Sequence, residues 1–287
     1  MSADPLLHSG VRGPRPTRPR VAMRGAARSQ VEPTFHSRYE CKYLVDSAAV
    51  PEMRNFLKSF TQPDNFAALR KGYRYPICSL YLDSPDLALY QQTVAGEKDR
   101  FKLRVRTYTD DPAKPAYFEV KRKVNSVVHK RRVELNRRQA RAELDQLPND
   151  LSGLGASARK DIEYFQHHVM LTQARPVVRV RYLREAYQAS GNEPVRITID
   201  TDLLHAVTLD ATLDHDSGRW TETPLDGTIV EVKFTERYPW WVQDFIRTFG
   251  LIQRAVPKYV LSVDHMMLEG RASAMAVAGV TLPPRRA

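Results

Sequence analysis

The chain is short of several things, and each shortage removes a class of function. It has two cysteines in 287 residues, Cys41 and Cys78, too far apart for a Cys-x-x-Cys motif. A disulfide framework and a thiolate zinc site are therefore not expected, and both thiols read as small core residues of a reducing compartment. The eight histidines show no metal-ligand spacing. His167 and His168 are neighbours on a helical stretch, where successive residues face different ways, so they do not suggest a zinc centre. No run approaches the roughly 20 apolar residues that would span a bilayer, so no integral membrane anchor is expected. The first residues hold no apolar core of a secretory leader. A cytoplasmic protein is the expectation.

Charge, by contrast, is abundant. The net charge is +11, and nearly half of it sits in the first thirty residues, where Arg12, Arg15, Arg18, Arg20, Arg24 and Arg28 face one acid, Asp4. That segment is rich in Pro and Gly and has no apolar period, so residues 1–35 are expected to form a disordered tail. Residues 36–270 are expected to form one domain, and residues 271–287 a flexible tail.

Within the domain, strands are expected at 37–45, 75–83, 100–109, 116–123, 127–135, 176–187, 194–201 and 228–234. Helices are expected at 47–60, 137–146, 156–172 and 258–269. Ser84 and Pro85 suggest an N-cap and first helical position for a short helix running to about Val94. Pro239 opens another, with Trp241, Phe245 and Phe249 on one face and Gly250 as its stop.

The strands carry the informative signal. In a half-covered strand apolar and polar residues alternate. Here the polar face is repeatedly basic. Arg100, Lys102, Arg104 and Arg106 alternate with Phe101, Leu103 and Val105. Glu119, Lys121 and Lys123 oppose Phe118 and Val120, and Lys130, Arg132 and Glu134 share a face. Arg179 and Arg181 alternate with Val178 and Val180, Arg196 and Asp200 oppose Val195 and Ile197, and Glu231 and Lys233 flank Val232. If helices cover the apolar faces, the basic faces turn inward, and a closed sheet would enclose a charged channel. Like charges a few Å apart repel by roughly 4 kcal/mol at an effective dielectric of about 20. A bound polyanion would relieve that crowding, with arginine offering forked donors and lysine point charges to phosphate.

Eight segments in order now suggest a family: RYECKY (38–43), SLYLDSPDLALY (79–90), FKLRVRTY (101–108), FEVKRK (118–123), PVVRVRY (176–182), VRITIDTDL (195–203), TIVEVKF (228–234) and VPKYVLSVD (256–264). Together they resemble the VTC domain, the polyphosphate polymerase branch of the triphosphate tunnel metalloenzymes. The resemblance implies an α+β fold, a closed antiparallel β-barrel forming a basic tunnel flanked by helices. It implies transfer of the terminal phosphoryl group of ATP onto a polyphosphate chain, with a divalent cation, Mn²⁺ preferred or Mg²⁺. Carried over by motif, Lys42, Arg104, Arg106, Lys121, Arg179 and Arg196 form the catalytic set, and Lys130 and Lys258 bind substrate. Lys123, Arg132, Arg181 and Lys233 join them by alternation alone. Glu231 corresponds to the metal-binding carboxylate, with Glu40 or Glu119 nearby.

Two departures stand out. The polymerases carry an arginine in the helix after the second strand, where residues 88–99 offer only Gln91, Gln92 and Lys98. Hydrolytic relatives open on Glu-x-Glu-x-Lys, and this chain has Arg38, Glu40 and Lys42 in that frame. The alternatives are a triphosphatase acting on tripolyphosphate or a nucleotide, and a non-catalytic polyphosphate or RNA binder. No specific nucleic-acid partner is expected, because most aromatics lie on apolar faces rather than in exposed stacking positions. The sharpest expectation is geometric: Arg104, Arg106, Arg179 and Arg196 should converge on one phosphate-sized volume.

Overall fold

The structure is a computed structural model, and it describes residues 38–125, 127–190, 194–235, 237 and 239–268. The expected tails, 1–35 and 271–287, lie outside the described residues. The chain runs through β1 (Arg38–Val45), α1 (Val50–Lys58), β2 (Thr61–Pro63), β3 (Arg74–Asp83), α2 (Ala88–Ala95), β4 (Asp99–Thr107), β5 (Ala116–Val124) and β6 (Val127–Leu135). It continues through α3 (Arg137–Leu144), α4 (Ala156–Thr172), β7 (Arg175–Ala189), β8 (Arg196–Val207), β9 (Thr221–Glu222), β10 (Thr228–Thr235), α5 (Trp240–Thr248) and α6 (Lys258–Leu268). No described helix is long and apolar enough to cross a membrane.

All strands join one antiparallel sheet in the order β1-β10-β8-β7-β3-β4-β5-β6, with β2 beside β7 and β9 beside β8. The alternation in β4 explains its placement. Leu103 and Val105 turn outward into a core with Val120, Val133, Ile162 of α4 and Ala140 of α3. On the other flank, Ile197, Ile199, Val230 and Val232 turn outward under Met53 and Leu57 of α1 and Trp241, Val242 and Phe245 of α5. With helices on the convex side, the opposite parity of these strands lines a concave face.

Two expectations fail here. The sheet is not a closed barrel. Its terminal strands β1 and β6 are not paired to each other. The free side of β1 is partly taken by the chain after α5, through a bridge between Tyr43 and Gln253 and a bond from the Arg254 amide to the Lys42 carbonyl. Those backbone groups are then not open to β6. The sheet does curl far enough for side chains to span the gap: Lys121 on β5 reaches both carboxylate oxygens of Glu40 on β1 at 3.1 Å.

The concave face is also not basic throughout. Ile77 and Tyr81 of β3 and Val178, Val180 and Tyr182 of β7 form an apolar strip on it, covered by Tyr259, Val260, Val263 and Met266 of α6. α6 therefore fills one side of the trough, and charge lines the rest.

A smaller difference concerns α2. It begins at Ala88, not at Pro85. The buried Asp83 carboxylate accepts from the amides of Ser84, Leu89 and Tyr90, and Leu87 sits at φ +57°. Asp83 so takes the capping role expected of Ser84, whose hydroxyl accepts only from Ala88.

Candidate phosphate-binding trough

The charged part of the concave face is built from alternate positions of each strand. β4 presents Lys102, Arg104 and Arg106, across from Lys121, Glu119 and Tyr117 on β5. β1 presents Glu40 and Lys42, across from Lys233 and Glu231 on β10. β8 presents Arg196, Thr198 and Asp200. Cations outnumber carboxylates, and the few carboxylates each hold several cations.

Glu119 is fully buried and is held by Arg104 at 2.6 Å, Lys130 at 2.6 Å and Arg132 at 3.5 Å. Burial alone would raise its carboxyl, but the surrounding Arg104, Arg106 and Lys130 outweigh it and hold the group well below the usual range. Glu231 is close to Lys233 at 3.2 Å, Lys42 at 3.7 Å and Arg184 at 3.8 Å. Burial opposes its ionisation as well, and again the cations, Lys233 and Lys42 first, prevail. Asp200 takes a two-pronged bond from Arg184 at 2.6 and 2.7 Å and a third contact from Lys258 of α6 at 2.7 Å. Against the effect of burial, these partners bring Asp200 down to about 2.

Two lysines are held below the ordinary lysine value. Lys102 is pushed down to about 8, chiefly by burial and then by the positive neighbours Lys42, Lys121 and Arg104, with Tyr81 opposing. Lys121 is pushed down to about 8 as well, by burial first and by Lys42 and Lys233, although Glu40 opposes this. The Tyr81 hydroxyl accepts from Arg104 at 3.4 Å. Burial would raise its phenol, yet Arg104, Arg106 and Lys102 bring it down to about 8. Burial together with the neighbouring cations thus disfavours the charged form of both lysines, and the same cations favour the ionised form of Tyr81.

The structure brings together most of the sequence-derived set: Lys42, Arg104, Arg106, Lys121, Lys130, Arg132, Arg196, Lys233 and Lys258 all sit on the concave side or reach over it. Lys123 lies on the same parity toward the far end of β5. Arg179 and Arg181 do not join them, so the expected convergence of four arginines fails. Arg179 pairs with Leu80 and Arg181 with Cys78, both on the convex face. There Arg179 donates to the Asp214 carbonyl, the Ser217 hydroxyl and the Ser217 carbonyl at 2.6–2.8 Å, and lies over Trp220. Arg181 donates to the His215 carbonyl and Asp216. The two arginines clasp a loop instead of lining the trough. Their place is taken by Arg184, which sequence reading missed. It lies on the opposite parity of β7, beyond Tyr182, and the signal for it was the need of Asp200 for a buried partner.

The three expected metal ligands also separate. Glu40 and Glu231 have carboxyl groups within hydrogen-bonding reach of each other. Glu119 belongs to the Arg104–Lys130 cluster instead. Among the described residues there is no cluster of three or more acidic, histidine or cysteine ligands. A pair of adjacent carboxylates fits a hard divalent ion that completes its shell with waters and substrate phosphate, as Mg²⁺ commonly does.

The VTC domain sequence model matches residues 37–267. Comparison with the curated proteins returns no match. Among solved structures, the chain is similar to a candidate adenylyl cyclase from Hippeastrum described as having a dominant triphosphatase activity. The identity is 13%, the TM-score 0.46, and 80% of this chain and 96% of that chain are covered. It is similar to a candidate adenylate cyclase from Bacillus halodurans, at 13% identity and TM-score 0.43, covering 76% and 92%. It is also similar to the PH1819 protein of Pyrococcus horikoshii, at 13% identity and TM-score 0.39, covering 82% and 99%. The sequence match begins at the strand that carries Lys42 and ends in the helix that carries Lys258, and over that span the chain belongs to the VTC domain family.

Proposed function

We propose that the trough binds the triphosphate of ATP and moves its terminal phosphoryl group onto a polyphosphate chain. The observation that carries this reading is the excess of cations on one concave surface, where Lys42, Lys102, Arg104, Arg106, Lys121 and Lys233 share the face with three carboxylates, Glu40, Glu119 and Glu231. Such a surface costs free energy until an extended polyanion neutralises it.

Phosphoryl transfer asks the protein for positioning and charge stabilisation more than covalent chemistry. Arg104 and Arg106 would grip non-bridging oxygens of the transferred group and stabilise its charge. Lys42, Lys121 and Lys233 would hold the neighbouring phosphates, with Lys130 and Arg132 along the exit path. Arg196 and Lys258 would engage the chain once it displaces their carboxylate partners, Asp64 and Asp200. Glu40 and Glu231 would hold a divalent metal, manganese or magnesium. The metal, when bound, draws negative charge from the phosphate oxygens. A chain held by cations on successive strands would slide without release. With ATP as donor, the proposal carries a cytoplasmic location with it.

Purified protein incubated with ATP and Mn²⁺ or Mg²⁺ tests the proposal, with long polyphosphate separated from free phosphate. Polymer supports it. Free phosphate alone would replace it with a triphosphatase, and tight polyphosphate binding without turnover with a binder.

A further inference from the structure

One mouth of the trough is aromatic rather than charged. It lies where β3 and β5 begin, β4 ends and β6 nears its end. Phe66, in the turn after β2, meets Tyr75 of β3 with ring centroids 4.8 Å apart and Tyr108, just past β4, at 5.5 Å. Tyr108 meets Tyr117 of β5 at 5.5 Å. Arginine planes cover this run: Arg70 lies 5.3 Å over Phe66, and Arg132 lies 3.7 Å over Tyr117.

The run is not ordinary core. Phe66 keeps 39% of its surface exposed, and Arg70 is exposed too. Yet the turn that carries Phe66 is firmly held. Asp64 accepts from the amides of Phe66 and Ala67 with one carboxylate oxygen and from Arg196 with the other. The exposed ring is thereby bolted to a cation of the trough. The Arg196 Nε and the Thr198 hydroxyl on the same stretch of β8 are buried without a hydrogen-bond partner, so donors remain unspent here.

From these observations we infer that the Phe66–Tyr108 shelf, once the exposed Arg70 guanidinium swings off the face of Phe66, is a stacking site for the base of a nucleoside triphosphate whose phosphates lie on Arg104 and Arg106. The inference rests on the phosphate-binding reading of the trough and adds to it a place for the nucleotide's base. The spacing supports it. Residues two apart on a strand are about 7 Å apart, so Tyr108 follows Arg106 by a step comparable to the reach from an α-phosphate across ribose to a base. Aromatic rings and guanidinium planes both offer faces for base stacking, and neither reads sequence. The shelf accepts a purine or a pyrimidine, purines more tightly because their faces are larger.

Calorimetric titration of ATP, CTP and tripolyphosphate into the full chain without metal tests this, alongside Phe66→Ala and Phe66→Tyr. Loss of one stacking ring should weaken ATP about five- to a hundredfold and leave tripolyphosphate unchanged. Phe66→Tyr should restore ATP binding, which also guards against a folding defect in the alanine variant. ATP carrying a fluorescent etheno base should be quenched on binding to the wild type and less so by Phe66→Ala. Equal losses for ATP and tripolyphosphate, or no loss for either, overturn the shelf while leaving the trough in place. Failure of the unaltered protein to bind tripolyphosphate overturns the trough and the shelf with it.

Discussion

Replacing Lys102 with methionine should stabilise the free protein and weaken its ligand. Lys102 lies on the concave face across from Lys121, and burial with Lys42, Lys121 and Arg104 nearby brings it from 10.5 to about 8. Taken whole, that displacement corresponds to about 3.4 kcal/mol of destabilisation of the charged form. The side chain is partly reached by solvent, which screens the repulsion, so about 1–2 kcal/mol is the realistic figure. Methionine keeps the apolar stem and removes the charge. For a domain of this size the gain should raise Tm by about 3–6 °C at pH 7. The sign fixes the pH dependence. The folded value lies below the unfolded one, so the penalty is complete below about pH 8 and fades as pH rises toward 10.5. The advantage of the variant should therefore shrink at pH 9.5. Tripolyphosphate, which loses one cationic contact, should bind about fivefold or more weakly. Thermal melts of both proteins with and without tripolyphosphate, at pH 7 and 9.5, read all three quantities. A lower Tm for the ligand-free variant at pH 7 would refute the reasoning, because it would mean that Lys102 is a structural ion-pair partner.

Glu231→Gln should abolish metal-dependent turnover and lower stability by about 1–3 kcal/mol, since Lys42, Lys233 and Arg184 lose a shared counter-ion; full manganese-dependent turnover in this variant would remove Glu231 from the metal site. Arg179→Ala should cost about 2–4 kcal/mol by releasing the Asp214–Ser217 loop, and calorimetry should find its tripolyphosphate affinity unchanged. A fall in affinity as large as that of Arg104→Ala would put Arg179 back in the trough. Gly227→Ala should cost about 2 kcal/mol or more, because φ is +132° and an added Cβ would stand 2.2 Å from the Val45 carbonyl oxygen. Hydrogen exchange should show that loss at the β1–β10 pair first, and uniform loss across the sheet would count against the local account.

How much of this was legible depended on what covers each strand. Where helices take one face and water the other, alternation is a faithful record of orientation. That holds for β4, whose Leu103 and Val105 lie under α3 and α4 while Arg104 and Arg106 face the trough. It holds for β8 and β10 under α1 and α5. The short strands β2 and β9 have too few residues to show a period. Barrel closure was not legible at all, because it turns on Gln253 and Arg254, which occupy the edge of β1 from far along the chain.

β7 shows why parity can mislead. Its segment VRVRYLRE places Val178 and Val180 at one parity and Arg179 and Arg181 at the other, the same pattern as β4. In β4 the apolar residues are outside; in β7 they are inside, because α6 crosses the concave face there and Val178 and Val180 pack beneath it. The arginines are displaced to the convex side, where a loop with free carbonyls receives them. The inward parity of β7 then runs from valine to Tyr182 to Arg184, so it changes from apolar to charged where the cover of α6 ends. That change is the local mark of the trough's edge, and Lys258 at the start of α6 confirms it from the other side by meeting Arg184 on the same carboxylate, Asp200. A strand covered on both faces loses alternation as a guide. What replaces it is charge balance: Asp200, buried and ionised, demands a cation at the one position of β7 that faces it, and Arg184 stands opposite it in the strand register.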